Sequence, residues 1–537
     1  MNLKKNILLV LILLCVFSIS ACDKEEEKGD EFVIKDVDLT NSIQVNDNNL
    51  VFYEIFTGAF SDSNGDGIGD LQGIINRLDY LNDGNPNSGK SLGIEGIWLT
   101  PIFKSPSYHK YDVADYYTID PEFGDMDDLK QLITECHNRG IKLILDLVLN
   151  HTSLQNEWFL NFKNAHQAKD SSDPYYDFYS YITKGQIIGS GKYTFISGTD
   201  DSYECNFSND MPELNYNNEK VREEVLKIAK YYIDMGIDGF RLDAAKYIYY
   251  GDDQKSAEFW EWFTTELRKI KPDVYLVGEV WSNDSATDIY VEHGLNCFNF
   301  TMSQFEGKIS SVARISSVTG YVNYVKKYID RINNLNSGAM LTTFIANHDT
   351  DRAAGYLQLN GQAQMAANIY ILGPGSPFIY YGEEIGMKGS RGSESTDANR
   401  RLAMLWGDGD TVKDPIGTTY ASNLQINGTV VEHKLNSESL YNHYKRVIMI
   451  RNANPEIARG EYKPLNSEIS KLGGFISTYN GKTVCVIHNT SLEEMSVDLT
   501  TLTEIEFKNL SAFVGMNSAS LNGNILTIGG QTSVVLR

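Results

Sequence analysis

From about residue 51 to residue 454 the chain alternates between two patterns of apolar and polar positions. Short, nearly uninterrupted apolar runs predict buried strands, and longer stretches with apolar residues every three or four positions predict amphipathic helices. The strand runs are Val51–Phe60, Ile94–Pro101, Lys142–Leu149, Ile237–Leu242, Val274–Val280, Cys297–Phe300, Leu341–Ala346 and Ser376–Tyr381. Helical patterns lie between them, among others Met126–Arg139, Glu219–Met235 and Ser256–Ile270. The first two are followed at once by a glycine, a common stop at a helix C-terminus. Eight strands alternating with helices predict an α/β protein built on a (β/α)8 TIM barrel, residues 46–454.

Two regions depart from that alternation. The span between the third and fourth strands is too long for one loop and one helix, so residues from about 151 to 215 form an inserted domain after strand 3. Beyond a last helix near Ser437–Asn452 the pattern shortens to β-type runs, including Phe475–Tyr479, Thr483–His488 and Thr532–Leu536. Residues 455–537 are therefore expected as an antiparallel β-sandwich. The N-terminus belongs to neither region. Lys4-Lys5 precede an apolar run from Ile7 to Ala21, too short to span a bilayer comfortably and right for a signal peptide over residues 1–21. Residues 22–45 read as a charged flexible tether, with no apolar content from Asp23 to Asp30.

Composition narrows the function. Apolar residues at 42% and charged residues at 22% suit a folded soluble domain. Acids outnumber bases 71 to 47, and the net charge of −24 repels nucleic acid phosphates while leaving a neutral substrate unaffected. Of six cysteines, Cys15 lies in the leader and Cys22 at its end. Cys136, Cys205, Cys297 and Cys485 lack metal-type spacing and are expected free and buried.

Chemistry concentrates in three runs that each end in an acid: Gly236-Ile237-Asp238-Gly239-Phe240-Arg241-Leu242-Asp243, Val277-Gly278-Glu279 and Phe344-Ile345-Ala346-Asn347-His348-Asp349. Arg241 and Asp243, two apart on a strand, share one face. A cation that close is expected to lower the carboxylate's pKa and keep it nucleophilic. Nearer the N-terminus, Asp62-Ser63-Asn64-Gly65-Asp66-Gly67-Ile68-Gly69-Asp70 carries oxygens at alternating positions with glycines between. That suits a hard cation such as Ca²⁺. It is not an EF-hand, because the twelfth position is Gly73 where a bidentate Glu is needed.

Together these runs resemble the alpha-amylase family of glycoside hydrolases. Gly96-Ile97-Trp98-Leu99-Thr100-Pro101, Asp146-Leu147-Val148-Leu149-Asn150-His151 and Met211-Pro212-Glu213-Leu214-Asn215 resemble further motifs of that family, in order. The resemblance implies a retaining mechanism with Asp243 as nucleophile, Glu279 as acid and base, and Asp349 as transition-state stabiliser. By the same motifs His109, Tyr111, His151 and His348 line the cleavage subsite, and Arg241 and Lys246 also bind substrate, Lys246 toward the leaving side. Asp397 and Arg401, four apart, resemble a pair contacting the next sugar. The loop of Asp62, Asn64, Asp66, Asp70 and the Ile68 carbonyl matches a structural Ca²⁺ site, with Mg²⁺ as the alternative. A second family Ca²⁺ site would use Asn150, but Tyr247 follows Lys246 where many relatives carry a His.

Arg241-Leu242-Asp243-Ala244-Ala245-Lys246 resembles the amylase and neopullulanase branch, and Tyr108 stands where exo-acting relatives tend to carry an Asp. These features imply an endo-acting hydrolase of α-1,4 bonds in starch and maltodextrins. An α-glucosidase or neopullulanase is the alternative, and a non-catalytic starch-binding homologue a remote one. Ser18-Ile19-Ser20-Ala21-Cys22 resembles a bacterial lipobox, and Lys24-Glu25-Glu26 an export signal of Bacteroidetes-type surface lipoproteins. They imply a lipid on Cys22, anchorage at the outer cell surface with the periplasmic face as the alternative, and a neighbouring starch-uptake system as partner.

Overall fold

The computed structural model describes residues 31–40, 47–186, 190–314, 317–465 and 467–537. The leader 1–21, Cys22 and the remainder of the tether lie outside the described residues. No helix among the described residues is long and apolar enough to cross a membrane.

Eight parallel strands form the barrel: β1 Phe52–Ile55, β2 Gly96–Leu99, β3 Lys142–Leu147, β4 Gly239–Leu242, β5 Tyr275–Gly278, β6 Asn296–Cys297, β7 Thr342–Phe344 and β8 Ser376–Tyr380. They pair in the order β6-β5-β4-β3-β2-β1-β8-β7, and a parallel bridge between Phe298 and Thr342 closes the ring. Each strand is shorter than its apolar run. The first run, for example, ends as strand at Ile55, and Thr57–Ala59 already turn as a 3-10 helix toward the carboxyl face. Helix ends follow local capping. The helix Met126–Asn138 opens on a capping box of Asp125 and Asp128, and Glu219–Met235 closes on Gly236 at φ 118°. The third helix begins at Asp253, three residues ahead of the apolar periodicity, because the Asp252 side chain caps it.

The lumen is filled rather than open. Leu50, Phe52, Trp98, Ile144, Tyr275, Val277, Phe298, Phe300, Phe344 and Phe378 pack there as one cluster. Phe52 stacks on Phe378 with centroids 4.5 Å apart, and Gly96 leaves the space that the Phe52 ring occupies. On three strands the inward position two residues further up is an acid: Phe52 leads to Glu54, Ile144 to Asp146, Val277 to Glu279. The alternation of the strands thus stacks an aromatic floor beneath a charged ceiling at the carboxyl end.

Between β3 and β4 the chain leaves the barrel. It forms the helix Glu157–Ala168 and a three-stranded antiparallel sheet of Tyr181–Thr183, Asp201–Glu204 and Tyr193–Phe195. Bridges between His151 and Glu213 and between Tyr179 and Leu214 pinch the base of this excursion together. At the C-terminus a five-stranded and a three-stranded antiparallel sheet enclose a separate core that includes Leu472, Ile487, Phe507, Leu526 and Val534. Cys136, Cys205, Cys297 and Cys485 are free and buried.

One expectation needs correction. The tether is not free as far as residue 45, because residues 31–40 lie on the barrel. Ile34 and Val37 are buried, the Phe32 and Ile34 amides donate to Lys434 and Gly89 carbonyls, and Arg446 grips Asp36 through two bonds of 2.7 Å. Phe32, Ile34, Val37 and Leu39 give this stretch the buryable surface that the acidic run before it lacks.

Candidate active site

Arg241 stands at the centre of the ceiling. Its Nη1 donates to both oxygens of Asp146 at 2.8 and 3.0 Å and to Asp243 Oδ1 at 2.6 Å. Its Nη2 lies 3.0 Å from Glu279 Oε2. The guanidinium rests over the Trp98 ring at 5.2 Å and the Tyr111 ring at 5.8 Å. β4 supplies Arg241 and Asp243 from one face, β3 supplies Asp146, and Glu279 follows β5. After Asp243 the chain turns through Ala244 in a left-handed conformation, φ 47°, and the Ala244 amide donates to Glu279 Oε2 at 3.0 Å. Such a backbone is uncommon outside glycine. Here it aims an N–H at an acid.

Asp349 has different neighbours. His348 Nε2 is 2.9 Å from its Oδ2, and Arg401 Nη2 donates to its Oδ1 at 2.8 Å. His348 Nδ1 sits 2.6 Å from Glu54 Oε1, so both ring nitrogens face carboxylates and the imidazole is a cation. Tyr111 stacks on His348 at 5.4 Å and donates to Asp146 at 2.9 Å. Arg401 also reaches the His348 carbonyl and the Tyr108 hydroxyl.

Burial pushes both Asp243 and Glu279 above their ordinary values, with Arg241 pulling each back. The expectation that Arg241 lowers Asp243 outright is therefore corrected. One guanidinium is shared among three carboxyls, and burial outweighs it. Asp146 is pushed up to about 7, first by burial. For Asp349 burial is overcome by His348, Arg401 and Arg241, which hold it far below the usual carboxylate range.

His109 and His151 are neutral, each lowered to about 4 by burial. His109 Nδ1 is held by Ser107 Oγ at 3.1 Å. His151 Nδ1 meets the Asn150 amide at 3.3 Å, which leaves the hydrogen on Nε2, and that atom has no partner among the described residues. It is a donor waiting for an acceptor. Lys246 Nζ donates to the Trp281 carbonyl at 3.0 Å, on the Glu279 side. Trp281 itself is 40% exposed and stacks on Phe300.

Asp397 and Arg401 do not pair. Residues Asp397–Arg400 form a 3-10 turn, where positions three apart eclipse. Asp397 accordingly meets Arg400 at 3.0 Å and Arg391 at 2.8 Å, while Arg401 turns inward to Asp349. Asp146 and Glu54 were not singled out as site residues although the same signal, an acid inside an apolar strand run, marks both.

The loop 62–70 is wound by its own side chains. Asp62 Oδ1 accepts from the Asn64 and Gly65 amides, Asn64 from the Asp66 amide, and Asp66 from the Ile68 amide. Gly65 and Gly67 take φ of 87° and 97°. Asp70 caps the helix Leu71–Asn76 and accepts from Ser63. The oxygens are of the hard type a Ca²⁺ ion takes. Among the described residues, however, no three His, Cys, Asp or Glu side chains are grouped so that they could hold a metal ion.

A closed parallel barrel with carboxyls gathered around a buried arginine at its carboxyl end, and an inserted domain beside them, defines a barrel-type glycoside hydrolase. The profile of the alpha-amylase catalytic domain matches residues 54–460. The chain is 35% identical to alpha-amylase 3 of Dictyoglomus thermophilum over 91% of its own length and 93% of that protein's. It is 30% identical to a cyclomaltodextrinase of Thermoanaerobacter pseudethanolicus, covering 87% and 71%. The solved structure of Eubacterium rectale Amy13B superposes with a TM-score of 0.84 at 34% identity, covering 96% of this chain and 98% of that one. The protein belongs to the alpha-amylase family, glycoside hydrolases acting on α-glucans with the retaining mechanism characteristic of the family.

The His348 cation ties pH to stability. Its folded pKa is raised from 6.5 to about 10 by Asp349 and Glu54 against burial. The stabilisation is therefore complete below pH 6.5 and is lost as pH rises through about 10. Urea unfolding of wild type and His348→Gln should show a wide stability gap at pH 6 that narrows steadily toward pH 10. A gap that stays constant over that range contradicts the protonated assignment.

Proposed function

We propose that the protein is an endo-acting alpha-amylase cleaving α-1,4-glucosidic bonds of starch and maltodextrins by double displacement. One observation carries the reading: Arg241 holds two buried acids unequally. Its contact to Asp243 is 2.6 Å and to Glu279 3.0 Å; in a double displacement Asp243 would carry the negative charge and Glu279 the proton. Asp243 then attacks the anomeric carbon while Glu279 gives its proton to the leaving oxygen, leaving a glycosyl ester on Asp243. Glu279, now a carboxylate, takes a proton from water as that water attacks the same carbon and releases Asp243. Asp349, ionised throughout, faces the positive charge that develops on the sugar ring. His151 Nε2, which has no partner among the described residues, would meet its hydroxyls, and His348, with both ring nitrogens engaged, would hold Asp349 in place.

Internal cleavage is supported by Tyr108, which stands where exo-acting relatives tend to carry an Asp. A cavity of about 290 Å³, lined by Lys246, Tyr247 and Val280 among others, lies at the residue after Glu279. On starch, iodine staining and viscosity should fall well before reducing sugar accumulates, and a nitrophenyl α-glucoside should be cleaved poorly. Asp243→Asn should lower turnover on starch by ~10³ or more. Steady release of glucose without loss of viscosity would assign an α-glucosidase instead, and preferential cleavage of pullulan a neopullulanase.

The same reading gives the loop of Asp62, Asn64, Asp66, Asp70 and the Ile68 carbonyl a structural Ca²⁺, with Mg²⁺ the other hard cation its donors admit. The ion would cross-link the loop and take no part in the chemistry. Metal analysis of dialysed protein should find one bound ion, and chelation should lower the melting temperature before it lowers activity at room temperature. Protein free of Ca²⁺ and Mg²⁺ would exclude the site.

Cys22 is read as the lipidated N-terminus of the mature protein, which holds the enzyme at the outer cell surface. Support comes from the lipobox pattern and the charged residues after it; display at the periplasmic face remains the alternative. Cys22→Ala should move the protein to the soluble fraction at unchanged specific activity, and protease added to intact cells should degrade the wild type. Full protection from protease would leave the anchor standing and rule out surface display.

A further inference from the structure

The loop after β2 carries Tyr108, His109 and Tyr111 of the candidate site, and among them a residue whose own contacts lie elsewhere. Lys110 sits between His109 and Tyr111 with φ at 63°, in the left-handed region. A glycine takes that backbone freely, whereas a residue with a Cβ is strained in it. The side chain is also buried, with the residue 3% exposed. Its Nζ lies 3.0 Å from Asp120 Oδ2 and 2.6 Å from Glu122 Oε2. Lys110 thus combines a strained backbone with a buried ammonium, two unfavourable choices that persist together only where the surroundings enforce them.

The surroundings are built to receive it. Residues 103–104 and 115–119 pair as antiparallel strands and close the base of the loop. Asp120 follows directly and is buried. Its amide donates to the Ile102 carbonyl at 2.9 Å, while its carboxylate accepts from the Ser105 amide at 3.0 Å and the Glu122 amide at 3.1 Å. The turn continues to Phe123, whose ring lies 5.3 Å from the ammonium and whose carbonyl accepts from the Leu71 amide at 3.0 Å. Asp120 is therefore a rigid post. The Glu122 side chain is about half exposed and is the weaker partner. Other ties inside the loop are local: the Lys110 amide to Ser107 Oγ at 3.2 Å, the Tyr111 amide to His109 Nδ1 at 3.1 Å and the Ser105 hydroxyl to Asp112 at 2.8 Å. They shape the turn, and Lys110 fastens it to the post.

We propose that Lys110 is a positioning residue: its ammonium, clamped to Asp120, holds the strained turn so that His109 and Tyr111 stand in place beside the acids before a sugar arrives. The inference rests on the reading of Asp243, Glu279 and Asp349 as the reacting acids, and is independent of endo- or exo-action. Tyr111 shows what the clamp has to hold. Its hydroxyl donates to Asp146 and its ring stacks on His348, contacts that need the adjoining backbone to stay where it is. Without the clamp the turn relaxes to conformations that carry His109 and Tyr111 off the acids, and binding has to restore them. A ligand that must first select a minor conformer binds more weakly, in proportion to the fraction of that conformer present.

Two variants test this. Lys110→Met removes the charge and keeps the backbone strain, and Lys110→Gly removes both. Each should raise KM for maltohexaose about tenfold while kcat stays within about twofold, the split expected when binding has to order the loop. Amide hydrogen exchange of residues 105–112 in the free enzyme should run roughly tenfold faster than in wild type. Lys110→Gly relieves the turn and serves if Lys110→Met does not fold. Wild-type KM in a folded variant, or a lowered melting temperature with KM and exchange unchanged, overturns the clamp and leaves Lys110 a residue of the fold alone. Wild type that does not cleave maltohexaose would overturn the reading of the acids instead, and the exchange rates would then decide the clamp by themselves.

Discussion

The site depends on a single buried guanidinium. Arg241 is inaccessible to water above an aromatic floor and would be costly to bury alone, by several kcal/mol. Asp146, Asp243 and Glu279 make its burial tolerable, and it in turn keeps three carboxyls within one small volume. The wider ceiling holds five carboxyls, those of Glu54, Asp146, Asp243, Glu279 and Asp349, against three cations, Arg241, Arg401 and His348. Two protons are needed to balance such a group in a dry site. Burial raises Asp146, Asp243 and Glu279 together, whereas Asp349 is held ionised. A carboxyl raised by burial and a permanent anion thus coexist in one site because their neighbours differ.

The surrounding structure makes that arrangement rigid. Phe52, Trp98, Tyr275 and Phe378 close the lumen from below, so the acids cannot relax into it. Ala244 spends a left-handed backbone to direct its amide at Glu279. On one flank Tyr108, Arg401 and His348 form a connected wall that ends at Asp349. On the other, Lys246 and Trp281 lead from Glu279 to exposed aromatic rings. The cleft is asymmetric: charge and hydrogen bonding dominate the Asp349 side, and apolar faces the Glu279 side. The inserted domain contributes to both, through His151 at its base and Phe207 above it.

Much of this was legible in the chain because it follows from short-range rules. Apolar runs with an acid at the end become strands that deliver the acid to the carboxyl face, as with Glu279 after β5. Residues two apart share a face, as with Arg241 and Asp243. Local capping located the helix Glu219–Met235 to the residue. The partners that Asp397 and Arg401 each take are not legible in their spacing. Spacing of four suggests a pair only if the backbone is α-helical, and here it is a 3-10 turn that pairs Asp397 with Arg400 instead. Residues 31–40 fail differently: their few apolar side chains bury only because grooves beside Gly89, Lys434 and Arg446 happen to receive them.

What the sequence determined by itself was therefore the barrel and its order of elements, since both rest on periodicity, while the three acids were singled out by strand-end motifs that resemble the family's. Only the tertiary structure decided the direction in which burial and neighbours shift those acids, the cationic state of His348, the contacts of Glu54 and Asp146, and the line of rings from Phe207 to Tyr250. These depend on burial and on partners 35 to nearly 300 residues apart, such as Tyr111 with Asp146 and His348 with Glu54. A chain read one window at a time carries the charges, but the field each charge feels exists only once the barrel has closed around it.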